Sequence, residues 1–167
     1  MSTPSPLTAG CFGQDVWIRI DGRGNLGLCA TFRKFTQAMI GKGRDSFVVD
    51  LRGCEHMDST FMGTLTGLSQ NLRSLGRGML SVINVSPRNV ELLENLGLNF
   101  LFHVEPLGDS LRHPPGGDQA LLELPLDPSI DKEILLSAHE ALAASNPANA
   151  ERFRDVVEYL RQQARPS

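Results

Sequence analysis

The chain has 167 residues and a formal net charge of -3, with 41% hydrophobic and 21% charged residues. This length suits one domain with a proper core plus an appendage, and the mild acidity gives no bulk attraction to nucleic acid or anionic lipid. No apolar run approaches the roughly 20 residues needed to cross a bilayer, and Cys11, Cys29 and Cys54 are too few and too scattered for a disulfide framework, which suits a reducing cytoplasm.

Residues 1–12 open with Met-Ser-Thr-Pro-Ser-Pro, lack the regions of a secretion signal and read as a disordered leader. Val16–Ile20 is a short β-prone run, ended by the turn cluster Asp21-Gly22-Arg23-Gly24-Asn25. From Leu26 to Ile40 the apolar residues Leu28, Phe32, Phe35 and Met39 recur at helical spacing, and Gly41-Lys42-Gly43 stops the helix. Ser46–Leu51 is apolar enough for a central strand, and Arg52-Gly53-Cys54-Glu55-His56 reads as a loop. Phe61, Leu65, Leu68, Leu72 and Leu75 then form an amphipathic stripe, closed by Gly76 and Gly78. Met79–Ile83 is the next strand. Ser86-Pro87 opens a third helix carrying Val90, Leu93 and Leu96, with Gly97 as its stop, and Phe100–Val104 is a last short strand.

Strands alternating with helices predict an α/β domain over about Gly13–Gly108: a small mixed, largely parallel sheet with helices packed on it. Residues 109–127 are rich in proline and glycine and read as a linker or extended arm. Residues 128–167 are expected to form a two-helix extension. One helix falls within Ser129–Ala144, with Ile130, Ile134, Leu135, Ala138 and Leu142 in register. The other opens at Asn146-Pro147 and carries Phe153, Val156, Val157 and Leu160. So small a hairpin cannot bury both stripes alone and must pack on the domain or on another chain.

Three segments carry a resemblance in chain order: Val48-Val49-Asp50-Leu51, then Met57-Asp58-Ser59-Thr60-Phe61-Met62-Gly63, then Ser86-Pro87-Arg88 before a helix. Together they resemble the STAS family of the anti-sigma-factor-antagonist type, over Gly13–Gly108 only. In that family the serine after the aspartate is phosphorylated by a kinase that doubles as an anti-sigma factor. The resemblance therefore implies Ser59 as the phosphorylated residue, Asp58 as its acidic neighbour and Thr60 as a secondary site. Phe61 stands where the family usually has glycine; it is either the first knob of the core stripe or an exposed partner contact. With Asp58, Met62, Glu55, His56, Gly22 and Asn25 it is assigned to the partner-facing surface. The implied partners are an anti-sigma factor or histidine-kinase-like serine kinase, and a metal-dependent serine phosphatase. A homodimer through the C-terminal helices is a further expectation; nucleic acid, membrane insertion, metal and cofactor are not expected.

Asp58 and Ser59 are also both good helix N-caps, a role compatible with phosphorylation. A helix N-terminus offers free N–H groups and partial positive charge to a phosphate. Other chemistry is poorly served. Cys54-Glu55-His56 has no second Cys/His pair nearby for zinc, and His103, His113 and His139 are far apart in sequence. There is no Gly-x-Ser-x-Gly elbow and no assignable Asp/His partner for Ser59. Gly22-Arg23-Gly24 lacks a phosphate-loop fingerprint, and His139-Glu140 lacks the second histidine of a metalloprotease helix, position 143 being Ala143. The arginines Arg152, Arg154, Arg161 and Arg165 interleave with acids as on a solvated face. The expectation is a non-enzymatic regulator switched at Ser59; the alternative is a non-switching STAS subunit of a scaffold or lipid-transport complex.

Overall fold

A computed structural model describes residues 5–127 and 131–164. The elements are β1 (Leu7–Phe12), β2 (Asp15–Gly24), α1 (Leu26–Gly41), β3 (Ser46–Met57), α2 (Ser59–Ser74), β4 (Met79–Val85), α3 (Pro87–Asn95), β5 (His103–Pro106), β6 (Leu122–Glu123), α4 (Lys132–Ser145), α5 (Pro147–Arg152) and α6 (Arg154–Ala164). One mixed sheet runs in the order β5-β4-β3-β2-β1-β6. The four strands from β2 to β5 are parallel, and β1 lies antiparallel between β2 and β6. This is the expected α/β architecture, with a largely parallel sheet.

Alternation along the strands builds the core. Val16, Ile18 and Ile20 of β2 and Phe47, Val49 and Leu51 of β3 point to one face, where they pack with Leu28 and Phe32 of α1 and Phe61, Leu65 and Leu72 of α2. Phe32 and Phe61 meet edge to face at 5.7 Å, the arrangement the ring quadrupoles favour.

Several boundaries differ from the sequence reading. Leu7–Phe12, expected in the leader, is β1: Leu7 and Ala9 are buried, and its ladder with β2 runs from Leu7↔Ile20 to Phe12↔Asp15. Residues 1–4 lie outside the described residues. The cluster Asp21–Gly24 and the expected loop Arg52–His56 are instead paired strand, continuing β2 and β3 as far as Gly24↔Met57. Register shifts between Arg19 and Asp21 and between Gly22 and Arg23 absorb the irregularity, with Gly22 at φ 89°. The strand expected at Phe100–Val104 starts later, at His103, because Leu98–Phe100 is a single 3₁₀ turn.

The proline-rich stretch after Gly108 is an arm that crosses the second face of the sheet and ends as β6. Its anchor is Asp118, whose carboxylate accepts from Arg19 of β2 at 2.7 Å and Arg52 of β3 at 2.6 Å. These arginine bonds, with His113 at 3.1 Å, hold the Asp118 carboxyl far below the usual carboxylate range. Beneath it, fully buried Asp50 accepts from Arg19, from the Asn84 side chain and from the Arg52 backbone N–H. Asn84 sits at φ 54° and bonds the arm backbone at Arg112 in both directions, a left-handed position that asparagine tolerates.

The C-terminal extension has three helices among its described residues rather than two, because the turn at Phe153 caps α5 and separates it from α6. Ile130 lies outside the described residues. The extension packs on the domain: α4 lies along α2, and α5 and α6 pack on α4. Asn146 and Asn149 fasten it by donating to the Leu96 carbonyl at 3.0 and 2.8 Å.

Candidate functional site

The parallel strands β2 and β3 end together, and their following helices start side by side. Asn25 caps α1 by accepting from the Gly27 N–H, and Asp58 caps α2 by accepting from the Phe61 N–H at 2.8 Å. The Asp58 N–H donates to the Gly24 carbonyl at 2.9 Å, locking the two strand ends together. Ser59 is therefore the first residue of α2, directly beyond the carboxyl end of β3. This edge is the usual site of function in α/β sheets, because the helix N–H groups converge there.

Of the residues assigned to the partner-facing surface, Gly22, Asn25, Glu55, His56 and Asp58 are gathered with Ser59 around these two junctions. The strand register sets Gly22 opposite Cys54 and Arg23 opposite His56. Glu55 and Asn25 are exposed, while His56, Asp58 and Ser59 are half-buried. The His56 Nδ1 is buried without a hydrogen-bond partner.

Thr60, Phe61 and Met62 do not belong to that surface. Thr60 and Met62 are each 6% exposed and Phe61 is fully buried. Phe61 is the core knob of its two possible roles. Its ring occupies the space a Cβ at Gly24 would need, since such an atom would sit 2.8 Å from the ring. A bulky residue at position 61 is thus accommodated by a missing side chain on β2. With Thr60 turned inward, Ser59 is the accessible hydroxyl of the pair.

The outer face of α2 is covered by α4. A Cβ built on Gly63 would lie 2.6 Å from the Ala138 carbonyl carbon, so the two backbones meet where glycine leaves room. About two turns further along α2, the Gln70 side chain donates to the Ala141 carbonyl at 3.0 Å. A cleft of about 330 Å³ opens beside this seam, bordered by Arg33 and Gln37 of α1, Thr64 and Asn71 of α2 and Ser137 of α4.

This packing brings to Ser59 a residue that no local motif places there. His139 of α4 has its Nε2 3.0 Å from Ser59 Oγ and its Nδ1 2.8 Å from the Leu135 carbonyl. The expectation that Ser59 has no histidine partner is overturned. Eighty positions separate the two residues, and only the fold of the extension joins them. The His139 ring is buried and rests edge-on against Phe153 at 5.9 Å.

The thiols nearby are inert by their surroundings. Burial pushes Cys29 up to about 12, and burial also raises Cys54, so neither presents a thiolate near neutrality. Among the described residues no group of three or more His, Cys, Asp or Glu is arranged to hold a metal ion, and no helix is long and apolar enough to cross a membrane.

The family model described as STAS domain matches residues 11–112. No curated relative matches the chain by sequence. Among solved structures, the chain is similar to a putative anti-sigma factor antagonist from Thermotoga maritima, with a TM-score of 0.55 and 16% identity over 59% of this chain and 85% of that one. It is also similar to the anti-sigma factor antagonist SpoIIAA in its unphosphorylated form, with a TM-score of 0.50, 18% identity and coverage of 59% and 86%. A third match is the Bacillus cell fate determinant SpoIIAA in the phosphorylated form, at 0.50 and 19%, covering 59% and 89%. At these identities the structures share the fold. The matched family segment ends before α4, so the helices on Ser59 lie outside it.

Proposed function

The chain belongs to the STAS domain family, and from that membership we propose that it is a bacterial, cytoplasmic regulator of the anti-sigma-factor-antagonist type, switched by phosphorylation of Ser59. Its partner is an anti-sigma factor or a histidine-kinase-like serine kinase, and a metal-dependent serine phosphatase reverses the modification. The observation that carries this reading is the half-exposed Ser59 at the first position of α2, beside the exposed Glu55 and Asn25. A phosphate there meets the free N–H groups of the helix start and brings roughly -1.5 to -2 charges into a docking surface. Asp58 is already anionic beside it, and like-charge juxtaposition in an interface costs several kcal/mol, enough for a two-state switch.

The test is intact-mass measurement of the protein from its native host, with the phosphate mapped to Ser59, followed by capture of the kinase with Ser59→Ala and Ser59→Asp. The alanine variant retains the partner and the aspartate variant releases it. Equal binding by both refutes the switch.

The close seam between α2 and α4 favours a second reading: a constitutive STAS subunit of a scaffold or lipid-transport complex, in which the covered face of α2 never opens. Complete absence of phosphate on Ser59 under every growth condition, with a stable multi-protein assembly, would select it.

A further inference from the structure

Ser59 and His139 have the geometry of a nucleophile and its base. The Leu135 carbonyl can only accept, so His139 Nδ1 carries a proton and donates it across 2.8 Å. In the neutral ring Nε2 then holds a lone pair, and the only hydrogen that can fill the 3.0 Å gap to Ser59 Oγ is the serine's own. The ring cannot swing away, being buried, fixed by the Leu135 bond and braced by Phe153. Ser59 Oγ is hydrogen-bonded to His139 Nε2, while the Asp58 carboxylate is turned to the Phe61 N–H as the helix cap. A serine whose hydroxyl donates to an oriented imidazole is an activated nucleophile.

We propose that His139 is the general base for phosphoryl transfer to Ser59. This rests on reading Ser59 as the phosphoacceptor. Ser59 Oγ attacks the γ-phosphorus of a nucleoside triphosphate held by the kinase. The Oγ–P bond forms, the bond from phosphorus to the bridging oxygen breaks, and its electron pair leaves with the nucleoside diphosphate. The serine proton passes to His139 Nε2, giving an imidazolium with both N–H groups partnered: Nδ1–H by Leu135 and Nε2–H by the new phosphate. The extension thus supplies a reacting group to a serine that belongs to the family-matched segment, and the modified state is a phosphoserine–histidinium pair that ties α4 to α2.

The elements around the pair carry Asp58 before α2 and Arg73 at its far end, Lys132, Glu133 and Glu140 on α4, Glu151 and Arg152 on α5, and Arg154, Asp155, Glu158 and Arg161 on α6; Glu140 pairs with Arg161 at 2.9 Å and Arg152 bonds Asn149 at 2.7 Å. Of these and His139, it is His139 that lies within hydrogen-bond distance of Ser59 Oγ.

The test uses the full chain and a fluorophosphonate probe, so it does not need the kinase. Attack by Ser59 Oγ on the probe's phosphorus expels fluoride and sends the same proton to His139. Intact mass gives the rate, and fragment mapping gives the site. The expected result is one adduct on Ser59, none in Ser59→Ala, and a rate at least about 10²-fold lower in His139→Gln, the lower end of what a positioned base contributes. In the wild-type protein the rate follows one ionisation with pH, and that dependence is missing in His139→Gln; the wild-type profile stands without relying on the variant's fold. Equal rates in wild type and His139→Gln, or labelling at Ser59 no faster than at exposed Ser74, overturn the proposal. If Ser59 labels in a His139-dependent way yet carries no phosphate in the host, the nucleophile–base pair stands and the phosphoacceptor reading fails. If Ser59 is phosphorylated in the host and His139→Gln labels at the wild-type rate, the reverse holds.

Discussion

Two glycines four residues apart on α2 should respond in opposite directions to the same substitution. Ordinarily Gly→Ala inside a helix stabilises by about 1 kcal/mol, because alanine restricts the unfolded backbone and covers the helix. At Gly67 nothing opposes that gain: a new Cβ would meet only the Ala141 Cβ at 3.9 Å, an ordinary contact. Gly67→Ala should therefore stabilise by about 0.5–1 kcal/mol. At Gly63 the new Cβ would lie 2.6 Å from the Ala138 carbonyl carbon and closer still to its oxygen. Restoring van der Waals distance requires α4 to retreat by about 1 Å. The obstacle is helix backbone, which cannot rotate aside, so the cost falls at the upper end of the roughly 1–3 kcal/mol typical of overpacking. Against the propensity gain this leaves a net loss of about 2 kcal/mol. For a chain of this size that is a fall of about 4–8 °C in Tm, against a rise of about 1–4 °C for Gly67→Ala. Thermal unfolding by circular dichroism measures both, and hydrogen exchange along α4 reports whether the helix loosens. If Gly63→Ala melts as high as Gly67→Ala, α4 is not seated on α2, and the contact between His139 and Ser59 fails with it.

Gly24→Ala should destabilise by about 1–3 kcal/mol because its Cβ meets the Phe61 ring, and that cost should shrink in a Phe61→Leu background; a double-mutant cycle in urea with additive losses would show that the two positions do not touch. Asp118→Asn should free the arm, seen as faster proteolysis between Arg112 and Asp127 at neutral pH with the sheet intact. In the wild type the same release should come with acid: the folded carboxyl is held below its unfolded value, so its contribution is present above the ordinary carboxylate range and is lost as pH falls through that range toward the depressed one. Arm protection unchanged between pH 6 and pH 3, followed by hydrogen exchange, would contradict the anchor. Of the three cysteines only exposed Cys11 should react promptly with a thiol reagent at neutral pH; buried Cys29 and Cys54 should appear only on unfolding, and prompt reaction of two or more thiols would show that burial does not protect them.

Local signals located the junction between β3 and α2. The stripe from Phe61 to Leu72, the capping residue Asp58 and the apolar strand Ser46–Leu51 each depend on neighbours within one or two turns. For that reason the junction carrying Ser59 was legible before any coordinates. The extension of β2 and β3 through Gly24 and Met57 was not, since Gly22, Gly24 and Gly53 favour turns alone and become strand only when a parallel partner supplies the ladder bonds. Likewise Leu7–Phe12 lacks a strong strand signature, and pairing on both sides makes it a strand.

The sequence by itself determined the α/β class, the position of Ser59 at the start of α2, and the presence of an amphipathic extension that had to pack on something. Tertiary structure decided where that extension lies and what it brings. Whether Phe61 faced a partner or the core turned on the empty space at Gly24, 37 positions upstream. Whether a histidine reached Ser59 turned on the Gly63 backbone meeting Ala138, which sets His139 over it. Periodicity reports which face of an element is apolar, but not which other apolar face it meets. That choice is made by shape complementarity across the whole chain, and here it places a histidine from beyond the family-matched segment on the serine within it.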